Sequence, residues 1–142
     1  MSLNAMTYSL LMLGFAAMAS VAHADPAAVK VELNDGPNGM VMTLDKNKVE
    51  TGPVEFEVSN KSMHMQHEVL IIPWQDDVNG LPYDEKTQKV DEDKLVGMVG
   101  VEDLDPNQSV TARFMLAKGR YLIFCNEPGH YKANMKQTLE VN

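Results

Sequence analysis

From residue 27 onward the sequence never sustains a helical period: apolar residues recur at every second position, in short runs cut apart by turn-forming clusters. "AAVKVELN" alternates, "NDGPNG" breaks it, "MVMTL" follows, and "PVEFEVSN" sets Val54, Phe56 and Val58 against Glu55 and Glu57. Alternation at period two over four to eight residues is the pattern of a strand with one face buried and one wet. Later come "SVTARFML", "GRYLIFC" and "MKQTLEV", each rich in β-branched or aromatic residues. "HEVLIIP", residues 67–73, is apolar almost throughout, as expected of a strand covered on both faces. Seven or eight short strands in one domain's length predict an all-β fold, a two-sheet antiparallel sandwich with Greek-key connections. Residues 74–105 break the rhythm. Between Asp76 and Asp105 ten acidic residues face only Lys86, Lys89 and Lys94. This stretch is too long and too charged for a hairpin loop and reads as an acidic insertion on the sandwich, with room in "DEKTQKVDEDKLVG" for a short helix of a turn or two. Such charge runs are most often solvated faces that keep a protein soluble; the functional alternative is a face that docks a basic partner or collects cations.

The N-terminus predicts a secretory signal peptide over residues 1–24. An apolar run from Leu10 to Ala22 is closed by Ala22-His23-Ala24, which fits the small-residue cleavage pattern, although no Lys or Arg precedes Leu10. Cleavage would leave Asp25 first and one domain over 25–142. The run is shorter than a span of ~20 residues and nothing later matches it, so no membrane insertion is expected and the mature chain is placed in the periplasm. Every Lys, Arg, Asp and Glu lies beyond residue 24, so that domain keeps the whole formal charge of −8, the wrong sign for nucleic acid.

Cys125 is the only cysteine. In a secreted protein a lone cysteine is an exposed thiol, half of an intermolecular disulfide, or a metal ligand. Its neighbours favour the last, since "FCNEPGHYKANM" sets His130 five residues beyond it and Met135 five beyond that. Thiolate, imidazole and thioether are soft and borderline donors, and two His, one Cys and a weak axial Met form the set that suits copper in electron transfer. Structural zinc sites seldom use a thioether. The second imidazole must come from His64 or His67, and His67 opens the strand "HEVLIIP", where packing would fix its ring. Taken singly, Cys125 is also a plausible core residue, His130 a surface histidine and Met135 core filling. A Cys–His nucleophile would need a third orienting residue and leaves Met135 without a role.

With these residues in view, the chain resembles the cupredoxins, or type 1 copper proteins. The resemblance spans the domain as a pattern of strands and is specific at "HEVLIIP" and "YLIFCNEPGHYKANM". It implies one type 1 copper held by His67, Cys125, His130 and Met135, with single electrons passed to and from the metal. The Cys-x4-His-x4-Met spacing is similar to that of rusticyanin and auracyanin and longer than the Cys-x2-His of plastocyanin. The loop looks closest to small periplasmic cupredoxins of bacterial copper tolerance, the CopI type. One departure stands out: many cupredoxins carry Asn directly after the first His, where it helps lock the ligand loops, and this chain has Glu68.

A second cluster lies in "SNKSMHMQHEV", where Met63, His64 and Met65 crowd the residues before His67. Thioether and imidazole donors favour Cu(I). The ordinary reading is that one Met packs on the end of the sandwich while His64 is solvated; the functional one is a second copper locus. Two roles follow, a copper-tolerance protein that binds and oxidises Cu(I), and a soluble carrier shuttling electrons between redox protein partners through the acidic segment.

Overall fold

The computed structural model describes residues 25–36 and 39–142, so the expected signal peptide at 1–24 and two residues of the first turn lie outside the described residues. Among the described residues eleven strands form two main sheets and a small hairpin. In the first sheet the order is β2 (Gly39–Leu44), β1 (Ala27–Gly36), β4 (Gly52–Asn60), β9 (Ser109–Leu116), with β1 and β4 parallel and the other neighbours antiparallel. In the second it is β3 (Lys48–Val49), β11 (Lys136–Val141), β10 (Gly119–Phe124), β5 (His67–Pro73), β8 (Val99–Leu104). This is the expected all-β sandwich. Apolar positions at period two face the space between the sheets: Val29, Val31 and Leu33 of β1 and Val54, Phe56 and Val58 of β4 meet Val69 and Ile71 of β5 and Tyr121 and Ile123 of β10. Among the described residues no helix is long and apolar enough to cross a membrane.

The strand β5 is covered on both faces, and the 74–98 stretch supplies the second cover. Leu70 and Ile72 of β5 and Leu122 and Phe124 of β10 point away from the main core, and Leu81, Val90 and Tyr131 close over them, with Trp74, Val78, Tyr83, Leu95 and Met98 at the margin. The acidic stretch is therefore only half solvated: exposed Asp76, Asp77, Asp84, Glu85 and Asp93 alternate with apolar side chains that form a second core. It contains a hairpin of β6 (Tyr83–Asp84) and β7 (Lys89–Val90), and its helical content is a single 3-10 turn, Glu92–Lys94. Its end differs from expectation. Residues 99–104 form β8, which pairs with β5 as an edge strand of the sandwich. Gly100 is required there, because a Cβ would clash with the Val69 carbonyl oxygen.

Candidate metal centre

The candidate ligands stand where two strands end side by side. Inward and outward residues alternate along β10, so Ile123 faces the main core, Phe124 the second core, and Cys125, one step beyond, faces inward again. His67 begins the neighbouring β5, where the pairing with β8 shifts register between His67 and Val69. Such a bulge re-aims the side chains beside it. The loop leading to His67 is tied down from below. Buried Asn60 donates through Nδ2 to the Met65 and Leu104 carbonyls, both at 2.9 Å, and accepts from the Ser62 N–H. Ser62 Oγ in turn accepts the His64 and Met65 N–H groups.

After Cys125 the chain makes one compact turn. His130 N–H donates to Glu127 O, Ala133 N–H to Gly129 O and Met135 N–H to His130 O, and Cys125 N–H closes the loop on Met135 O at 3.0 Å. Three candidate ligands thus come from one hydrogen-bonded loop, and the fourth from β5.

Cys125, His67 and Met135 are fully buried, and His130 keeps 3% of its surface exposed. Cys125 Sγ lies 3.3 Å from His130 Nδ1 and 3.8 Å from His67 Nδ1, and the two Nδ1 atoms are 3.1 Å apart. Three donors bound to one first-row ion at ~2.0–2.3 Å in a plane stand about 3.5 Å from one another, so the triangle fits a single ion. Its electrostatics fit as well. Burial lowers the pKa of His67, and burial with the neighbouring His67 ring brings His130 down to about 4, so both imidazoles are neutral and able to donate lone pairs at pH 7. Burial pushes the Cys125 thiol up to about 12 against the N–H of Glu68, which donates to Sγ at 3.4 Å. A bound cation reverses that balance, since coordination drives the thiol proton off. His67, Cys125, His130 and Met135 are therefore arranged as a type 1 copper site.

Of the two histidines the sequence offers, the expected ligand His67 is buried among the donors while His64 is exposed. Met63 is 71% exposed and Met65 half-buried, so neither belongs to the main core. Glu68 does lie beside the centre. It is 5% exposed, Oε1 has no hydrogen-bond partner, and burial raises its pKa to about 7, with Lys89 and the Asn126 N–H pulling it down and Glu127 and Glu92 pushing it up.

Sequence reasoning passed over Asn126 and Tyr131. Both are buried within the ligand loop, and both bond to the 74–98 cap. Their signal was present in "CNEPGHYKANM": an amide and a phenol directly beside ligands, at positions where a purely solvated loop has no need of them.

A sequence model of the copper binding proteins, plastocyanin/azurin family, matches residues 27–142. No curated protein sequence matches the chain. Among solved structures it is similar to an auracyanin of Roseiflexus castenholzii, at 23% identity and TM-score 0.60, covering 84% of this chain and 99% of that one. It is also similar to auracyanin B, at 25% identity and TM-score 0.55 over 86% and 94% of the two chains. Rusticyanin from Thiobacillus ferrooxidans superposes at TM-score 0.59 and 17% identity, over 83% of this chain and 79% of that one.

Proposed function

This chain belongs to the plastocyanin/azurin family of copper-binding proteins, and from that premise we propose that it is a periplasmic type 1 copper protein of copper tolerance, akin to the CopI type, which oxidises Cu(I). The observation that carries the proposal is the convergence of Cys125 Sγ with the Nδ1 atoms of His67 and His130 in a buried pocket, with Met135 on the same loop. Copper held by these four residues would supply one-electron chemistry, between Cu(II) and Cu(I). His67 and Cys125 sit at the ends of hydrogen-bonded strands, and the turn from 126 to 135 is internally bonded, so the donors move little between oxidation states. His130, with its small exposed edge, is the side through which an electron passes.

Met63, His64 and Met65 supply the site for Cu(I) as substrate. They are wholly or partly exposed, on the short loop that ends at His67, and offer thioether and imidazole donors. An incoming Cu(I) would give up one electron and become Cu(II), and a one-electron acceptor would take that electron away. Anaerobic addition of Cu(I) to the oxidised protein should therefore bleach its visible band. Replacing Met63, His64 and Met65 with Ala should slow the bleaching and reduce copper tolerance while the band persists. If the triple variant bleaches and tolerates copper as the wild type does, the cluster is solvent and packing. The second reading then replaces the first: a soluble electron carrier, favoured by the acidic cap beside the ligand loop, whose association with a basic redox partner weakens as salt rises.

A further inference from the structure

The loop from Cys125 to Met135 is held between two bodies. Cys125 and Met135 belong to the main core, whereas Tyr131 and the preceding Phe124 belong to the second core under the cap. On the cap side the bonding is dense and falls on residues that flank ligands. Asn126, next to Cys125, uses its side-chain amide as a strand partner for Val90: Oδ1 accepts the Val90 N–H at 2.6 Å and Nδ2 donates to the Val90 carbonyl at 3.0 Å. Nδ2 also donates to Glu92 Oε1 at 2.7 Å. Gly129 and Tyr131 flank His130. The Gly129 N–H donates to the Gln88 carbonyl at 2.8 Å. The Tyr131 hydroxyl donates to Val78 O at 2.6 Å and accepts from Leu81 N–H at 3.3 Å. Its ring stacks on Tyr83 and meets Phe124 edge-on, and the Lys136 ammonium, 4.6 Å from the ring centroid, donates to the Tyr131 carbonyl. The sandwich meets the loop through contacts of its own: the Glu68 N–H to Cys125 Sγ, His67 Nδ1 beside His130 Nδ1, and the bond of Lys136, in β11, to the Tyr131 carbonyl.

We propose that the cap from Val78 to Glu92 holds the ligand loop in its metal-binding shape, with Asn126 and Tyr131 as the positioning residues that transmit its hold to Cys125 and His130. Each bond joins a residue adjacent to a ligand to a backbone or carboxylate fixed elsewhere in the chain. Loss of one lets the neighbouring ligand swing without unfolding the sheets. The acidic stretch thereby acquires a task at the centre beyond solubility. The proposal rests on the copper reading above for its metal arm, and its second arm needs no metal.

The test uses three variants of the full mature domain. Tyr131→Phe removes the hydroxyl and keeps the ring in the second core; Glu92→Ala removes an acceptor on the cap, far in sequence from the loop; Glu92→Gln keeps an acceptor oxygen for Asn126. In the metal-free protein, amide exchange at His130, Ala133 and Met135 should quicken about tenfold in Tyr131→Phe and Glu92→Ala, the factor that a net hydrogen bond of ~1.4 kcal/mol corresponds to. Exchange at Leu122 and Ile123 in β10 should stay as in the wild type, and Glu92→Gln should match the wild type throughout. With Cu(II) loaded, release to a chelator should quicken by a similar factor and the visible band should shift. Loop exchange and copper release within twofold of wild type in both disrupting variants would overturn the proposal, even if the melting temperature fell, because the cap would then only stabilise. If the wild-type protein binds no copper, the reading under the previous heading falls, and the exchange arm still decides this one.

Discussion

Replacing Glu68 with Gln should stabilise the metal-free protein above neutral pH and leave it matched to wild type near pH 4.5. Burial raises the carboxyl from its ordinary 4.5 to about 7, so between those values the folded state binds more protons than the unfolded chain. Stability then falls as pH rises through that window and is level above it. At ~1.36 kcal/mol per unit the ceiling is about 3 kcal/mol. The carboxyl is not fully sealed from solvent, and screening reduces the expected effect to about 1–2 kcal/mol. Gln cannot ionise, keeps an acceptor oxygen for the Asn126 N–H, and adds no volume. Urea unfolding followed by fluorescence of Trp74, the single tryptophan, measures the difference from pH 4.5 to 8.5. It should open steadily to pH 7 and then hold. A difference independent of pH, or one that favours Glu68 at pH 8, would mean that Lys89 outweighs burial and that the carboxylate is ionised throughout.

In the same Glu68→Gln background, the metal-free protein should lose stability as pH falls from 6.5 towards 4, because the unfolded chain protonates histidines that His67 and His130 keep neutral in the fold; a flat acid limb would contradict their lowered pKa values. Leu122→Ala, at a position 1% exposed between β10 and the cap, should cost about 2–5 kcal/mol by equilibrium unfolding, and a loss below about 1 kcal/mol would mean that the cap does not pack on the sheet. Met135→Leu should keep copper and raise its reduction potential, since loss of the axial thioether disfavours Cu(II) more than Cu(I); voltammetry showing an unchanged or lower potential would remove Met135 from the ligand set.

The sandwich was legible because β1, β4 and β9 carry their own alternation, and β5 announced its double cover through the apolar run from Val69 to Ile72. The ligand loop was legible because soft donors at even spacing are rare without a metal. The cap was not. Leu81 and Val90 are isolated apolar residues in a charged stretch, and only the tertiary fold shows that they close over Leu70, Leu122 and Phe124. β8 escaped for a related reason: "VGVEDL" mixes glycine and acid at an exposed edge, and its pairing depends on the close approach of Gly100 to β5. His67 was preferred to His64 from its place at the head of "HEVLIIP", and it is the buried one of the two. Asn126 and Tyr131 hid in the same way, because a side chain that bonds to the backbone 36 or 53 residues away leaves no periodic trace.

The most direct test of the copper assignment is the visible absorption of the Cu(II)-loaded protein and its Cys125→Ser variant. The wild type should show an intense thiolate-to-copper charge-transfer band, because Cys125 Sγ is the soft, buried donor facing both imidazoles. The variant should lose that band, since a hydroxyl supplies no charge-donating sulfur. A Cys125→Ser protein that binds copper with its colour unchanged, or a copper-loaded wild type with no such band, would contradict the account.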